Sequence, residues 1–483
     1  MDFCSTRNAS ARFSAAQAVL QGHAPDSGLF MPCALPAFSR ETIMTTAAMS
    51  YARTAETVLS ALLPGFSSEA LRSVCKAAYG PQFDEGQITP LQAVRPGLWA
   101  LELWHGPTGT GEDLALLPLP PLLAEAAARL EEAPPQTLLT ALCGSTGLAA
   151  LESFSHAPGM TLWGVYPQAC LSPLQRLQAV TQLGDSLQVF GVTADEADAK
   201  IAIDRAAQGI RRVDGAGWAC LAARIVWYFR AYARLLNTEA IEMGDPVNFV
   251  VPTGELGSLL AGLLAKRCGL PVGRLICAVN ENSSLFSLLQ DGVFDGNRPF
   301  RRTATADLDI SVPAELERLL FLLYGDGEPV TRRMAELERK GAFRVDEALV
   351  QRLRNEGLLA FWCDDAHTFD TMRELWFGRG YLCDPHTGVA MHAYHRYTAL
   401  TGDKAPTVAL SVSSPFRFAA AVLPAIGLDF QGDAFQQLEA LEIVSGRPAP
   451  AALKALKTRA PRFSEILAPE ELQKRLRSRP ESQ

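Results

Sequence analysis

The feature that most constrains this chain is an alternation of short apolar runs, glycine turns and helical stretches. TLLTALCGSTGLAALESF, from Thr137 to Phe154, reads as strand, turn and helix. MTLWGVYP supplies a strand from Met160. VNFVVPTGELGSLLAGLLAKRCGLP reads as strand, turn and a long helix stopped at Gly269 before Pro271, and RLICAVNEN is the next strand. Strands and helices in this order imply parallel sheets with crossover helices. Ligands of such sheets gather at the carboxyl ends of the strands, where the glycine turns lie.

Composition narrows the function classes. Hydrophobic residues make up 48% of 483 and charged residues 20%, which excludes a largely disordered chain. With 44 basic against 52 acidic residues the net charge is −8 and no basic tract occurs, which argues against nucleic-acid or anionic-membrane partners. The best apolar run, Leu114 to Leu123, is broken by Pro118, Pro120 and Pro121 and is too short to span a bilayer. MDFCSTRNASARF has no apolar signal core, so a cytoplasmic protein is expected. The ten cysteines include no CxxC pair and are expected to be free thiols, mostly buried.

Recognisable strings run along the chain: STRN at 5–8, QAVLQGHAPDSGLFMP at 17–32, LELWHGPT at 101–108, CGSTG at 143–147 and YPQACLSPLQRLQ at 166–178. IVWYF at 225–229, VNFVVPTGELG at 247–257, ICAVNEN at 276–282 and RGYLCDPHTGVA at 379–390 follow. In this order and spacing the chain resembles the threonine synthase family, fold-type II pyridoxal phosphate (PLP) enzymes. The resemblance implies an α/β, tryptophan-synthase-beta-like fold, with parallel sheets, flanking helices and a small N-terminal threonine-synthase-like domain. The expected division is 1–95 for that domain, 96–135 with 215–428 for a large α/β domain, 136–214 for a small one, and 429–483 for a helical extension and tail.

The resemblance also exposes departures. After HGPT the family places a lysine that forms the Schiff base with PLP; here HGPTGTGED puts Glu112 at that position, and a carboxylate cannot form an imine. None of the eight lysines falls in a pocket-forming turn. The family's phosphate turn becomes Gly254-Glu255-Leu256-Gly257, which keeps the glycines and adds a negative charge. Val412 stands where the family sets a hydroxyl against the pyridine nitrogen, with Ser411 and Ser413 adjacent. The substrate-phosphate residues become Ala169-Cys170 and the run Asp214 to Gly217 with Cys220. The substrate-carboxylate loop becomes Cys143-Gly144-Ser145-Thr146-Gly147, which still offers N–H groups. These losses lead to the expectation that no cofactor is bound. LALLPLPPLL, with three prolines, cannot be one continuous helix interior.

The candidate catalytic residues are therefore Glu112, His105, Asp214 and Cys220. The candidate ligand-binding residues are Cys143, Gly144, Ser145, Thr146, Gly147, Cys170, Gly254, Glu255, Gly257, Asn280 and Val412. The cysteines read as fillers of vacated polar positions before they read as metal ligands, and no metal site is assigned. Three functions stand open. The first is a PLP-free homologue binding a small molecule or a protein, such as a second copy or an active paralogue. The second is an enzyme reusing the pocket of Glu112, Asp214 and the cysteines, with a cysteine as nucleophile and His105 or a carboxylate as base, on an amino-acid-derived substrate. The third is residual PLP-dependent threonine synthase or phospho-lyase activity.

Overall fold

The computed structural model describes residues 2–168, 171–193, 203 and 210–477. Its frame is made by strands β1 (Leu91–Arg95), β2 (Leu98–Glu102), β3 (Thr137–Ala141), β4 (Thr161–Pro167), β5 (Leu187–Val192), β6 (Arg211–Arg212), β7 (Val247–Pro252), β8 (Val272–Val279), β9 (Leu358–Trp362), β10 (Thr407–Ser411) and β11 (Ile466–Leu467). One sheet has the order β9-β8-β7-β10-β2-β1 and is parallel except for β1, which turns back beside β2. The other has the order β11-β5-β4-β3-β6 and is parallel throughout. Every residue of β7 and of β10 is buried, as expected of parallel strands covered on both faces.

The helices that matter for the site are α1 (Glu112–Leu116), α2 (Ser145–Phe154), α3 (Trp218–Asn237), α4 (Gly257–Arg267) and α5 (Pro385–Thr401). α3 is apolar around most of its circumference and runs through the main core, burying Trp218, Trp227, Tyr228, Phe229 and Tyr232. The proline run behaves as its chemistry demands. α1 stops at Leu116, and the following helix, Leu119–Leu130, takes prolines only in its first turn, where no N–H partner is lost.

The STRN string is a tether. Thr6 Oγ1 donates to Glu317 Oε1 at 2.5 Å, and Arg7 forks onto both oxygens of Glu317 at 3.1 and 2.9 Å. This clamps the antiparallel ribbon of Phe3–Ser5 and Phe30–Pro32 to the helix Leu316–Tyr324. The segment after 428 does more than trail as a helical tail. Its strand β11 pairs with the edge of β5, and Arg462 Nη1 donates to the carbonyls of Gln182 and Gly184 at 2.9 Å. An edge strand with unpaired backbone groups is a liability, and β11 covers it. Among the described residues no helix is long and apolar enough to cross a membrane.

Candidate functional site

Two helix starts, one from each sheet, build the site. The turn after β3 leads through Gly144 into α2, and the turn after β7 leads through Gly254-Glu255-Leu256 into α4. Gly147 is obligatory, because a Cβ there would lie 2.2 Å from the carbonyl oxygen of Ala141. Leu256 enters α4 in the left-handed region, at φ 67°. Neither α2 nor α4 is capped by the side chain of its own N-cap residue. Each therefore presents N–H groups that need an outside acceptor.

Glu112 opens α1 beside both starts. Its Oε2 accepts from Arg224 Nη2 at 2.6 Å and from Thr146 Oγ1 at 3.3 Å. Arg224, on α3, also donates from Nη1 to the carbonyl of Gly215 at 2.9 Å, and its Nε is buried without a partner. Its guanidinium carbon lies 3.4 Å from the point a Cβ on Gly257 would occupy. One arginine thus joins α1, the loop 214–217 and the α4 turn. Sequence reasoning passed over it, although a lone cation inside WACLAARIVWYF was the available signal, since arginine is seldom buried without a partner.

The remaining candidates fall into different surroundings. His105 does not offer a ring nitrogen to the pocket: Nδ1 lies 2.7 Å from Asp84 and Nε2 3.0 Å from Glu102. Burial opposes its charge, but the two carboxylates outweigh it and raise the imidazole to about 9. It is protonated at neutral pH and cannot act there as a general base. Cys220 is buried in α3, and burial pushes its thiol up to about 12, which removes the thiolate a nucleophile requires. Cys143 is exposed, and Cys170 lies outside the described residues. Among the described residues no three His, Cys, Asp or Glu side chains converge as a metal-ligand set.

Asp214 turns toward the N-terminal region. Its Oδ1 accepts from Ala216 N at 3.0 Å and its Oδ2 lies 3.6 Å from His23 Nε2. Glu255, expected to aim its charge at the phosphate turn, is exposed and accepts from Ala314 N at 2.6 Å. Asn280 Nδ2 donates to Thr303, Thr305 and Asp309, so its role is to strap the loop 303–309. Val412 contributes its carbonyl, which accepts from Gly111 N at 2.8 Å. Its neighbour Ser411 accepts from Trp104 Nε1 at 3.1 Å and from Thr387 at 3.0 Å. His386 is fully buried, with Nδ1 2.6 Å from Asp384, the N-cap of α5.

Residues 2–79 match the family model "Threonine synthase N terminus". "Threonine synthase-like 2" of Pongo abelii is 31% identical over 437 residues, covering 88% of this chain and 89% of that protein. The chain belongs to the threonine synthase family. Threonine synthase of Pseudomonas aeruginosa is 30% identical, covering 87% of this chain and 90% of that one. The PLP-bound threonine synthase of Brucella melitensis superposes with a TM-score of 0.87 at 27% identity, over 99% of both chains. The expected fold-type II architecture with its N-terminal domain is therefore present.

The same relatives correct the expectation that no cofactor is bound. A threonine synthase covering 99% of this chain carries PLP, so family membership points to PLP. The glycines retained in both turns, together with Arg224 on α3, count against that expectation. The phosphate turn retains an uncapped helix start, with the buried, unpartnered Arg224 Nε beside Gly257; both suit an anion. Lys266 sits in the last turn of α4, where Nζ donates to the carbonyls of Gly273 at 3.0 Å and Glu356 at 2.7 Å.

Proposed function

We propose that this threonine synthase-like protein holds PLP without a covalent link and does not run the lysine-dependent reaction of its family. The observation that carries the reading is Glu112, which stands at the lysine position by the resemblance of HGPTGTGED and is ion-paired to Arg224. PLP, when bound, supplies an electron sink for amino-acid substrates. The chain's own groups then divide as follows. The α4 start and Arg224 attract the phosphate. Glu112 binds Arg224 and Thr146, and as a carboxylate it can neither form an imine nor replace the lysine's amine. The α2 start, whose Ser145 N–H now donates to Asp307, is a seat for the carboxylate of an amino-acid-derived ligand once Asp307 gives way.

The test is a PLP titration followed by absorbance, then borohydride reduction and peptide mapping. The expected result is saturable binding with no lysine labelled and no turnover of phosphohomoserine. A labelled lysine overturns the reading. Arg224→Met is expected to weaken PLP binding at least about tenfold, since a buried guanidinium is a strong phosphate partner.

A further inference from the structure

The α2 start is already occupied by the chain itself. Ser145 N donates to Asp307 Oδ1 at 3.0 Å and Ser145 Oγ donates to Asp307 Oδ2 at 2.5 Å. Asp307 lies 162 residues away in sequence, in a three-residue 3-10 helix, Ala306–Leu308. Its carboxylate is therefore an imported cap on the α2 start.

Two further observations point to more than capping. Arg417 reaches the same place: it is 7% exposed and its Nη1 donates to Ser145 Oγ at 2.9 Å. Its Nε and Nη2 are buried with no partner, as is Ser414 Oγ. A guanidinium with two unused buried donors is costly unless an acceptor arrives. The second observation concerns the Asp307 backbone. Its carbonyl oxygen lies 2.4 Å from the position a Cβ on Gly254 would take, and Leu308 Cα lies 3.2 Å from it. Asp307 thus occupies the α2 start with its side chain and packs its backbone against the turn that leads into α4. The covering segment is held at its ends, by Asn280 and Asn282 on Asp309 and by Asp365 on Ala304 N at 3.1 Å, and at its middle by His386, whose Nε2 accepts from Asp307 N at 3.3 Å.

We propose that Asp307 is an internal stand-in for a ligand carboxylate, and that residues 303–309 form a plug which an amino-acid ligand must displace to reach Ser145 and Arg417. The inference rests on the reading that this pocket is the ligand pocket. A free carboxylate entering the seat takes the two Ser145 hydrogen bonds that Asp307 releases and the donors that Arg417 leaves unused.

The test removes the stand-in and offers small carboxylates. With Asp307→Ala, sodium acetate is expected to raise the unfolding temperature saturably, while wild type responds no more than to sodium chloride at equal ionic strength. L-serine, titrated by calorimetry, is expected to bind Asp307→Ala at least about tenfold more tightly than wild type, because the competent state is no longer a minor population. Equal responses of the two proteins overturn the proposal and leave Asp307 as a helix cap. A chloride effect equal to that of acetate also overturns it, since the site would then be a bare anion seat. Should Asp307→Ala fail to fold, Asp307→Asn keeps an acceptor for Ser145 N and loses the charge, and unchanged L-serine affinity overturns the idea. PLP titrated in parallel separates the two claims. PLP binding neither protein sinks the functional reading, and the acetate arm still decides Asp307.

Discussion

Two glutamate–arginine pairs hold the same loop from two sides, and they are built on opposite principles. Arg318 Nη1 donates to the carbonyl of Ala216 at 2.6 Å, and Arg224 Nη1 donates to the carbonyl of Gly215 at 2.9 Å. The Arg318 pair is local and sealed. Its partner Glu315 is three residues away, Nη1 reaches both carboxylate oxygens at 2.6 Å, and side-chain exposures are 0% and 2%. Nε adds a bond to the carbonyl of Phe30 at 3.0 Å, so this pair stitches the N-terminal ribbon to the loop. The Arg224 pair spans 112 residues, and Glu112 is 22% exposed. A sealed pair with every carboxylate contact made inside one turn is scaffold. Each arginine keeps one buried donor without a partner, Nη2 of Arg318 and Nε of Arg224, so access is what separates the pairs: with Glu112 partly exposed, the Arg224 pair can exchange partners, as a binding site requires.

The sharpest way to break this comparison is to cut the sealed pair. Arg318→Met leaves Glu315 buried and unpaired and is expected to destabilise the fold by about 3–5 kcal/mol. Chemical denaturation measures it. A loss below about 1 kcal/mol would put this pair in the same class as an exposed one.

A third charged cluster sharpens the contrast through pH. His105, between Asp84 and Glu102, is raised from its ordinary 6.5 to about 9. A cation favoured in the folded state stabilises fully below its unfolded value, and the contribution is lost as pH rises through the folded one. Stability is therefore expected to fall between pH 6.5 and about 9, by at most about 3 kcal/mol. Unfolding midpoints measured across this range should decline in wild type and lie flatter in His105→Gln. Equal slopes in the two proteins would show that the cluster is not charged as described.

The contrast also explains what the sequence disclosed. Strands β3, β4, β7 and β8 and helices α2 and α4 were legible because periodicity and glycine turns are local signals. The break between α1 and the next helix was legible because proline acts on its own turn. The strings led to the family, and with it to Glu112 and the two glycine turns. Arg224 left a trace, a lone cation in an apolar helix, but its role and those of Asp307 and Arg417 were not legible, because each acquires its meaning from partners 112, 162 and 272 residues away. His105 misled only partly for that reason: Asp84 lies 21 residues upstream, whereas Glu102 stands three residues away within LELWHGPT. The cofactor expectation failed at the same level. It weighed substituted side chains above the retained glycine turn, and spacing does not reveal Arg224, the buried cation beside that turn.

The smallest expected effect falls on the open pair and tests whether it is open. Glu112→Gln keeps an oxygen to accept from Arg224 and Thr146 and removes the charge. Because Glu112 is 22% exposed, water compensates part of the loss, and about 1 kcal/mol of destabilisation is expected. A double-mutant cycle with Arg224→Met isolates the coupling between the two. If Glu112 is the accessible member of an exchangeable pair, its loss frees Arg224 for another anion, so Glu112→Gln is expected to bind inorganic phosphate or PLP more tightly than wild type while being less stable. That opposite movement of stability and affinity distinguishes a binding pair from a scaffold pair. Were affinity to fall together with stability, Glu112–Arg224 would be a second version of Glu315–Arg318, and the pocket's anion seat would have to lie elsewhere.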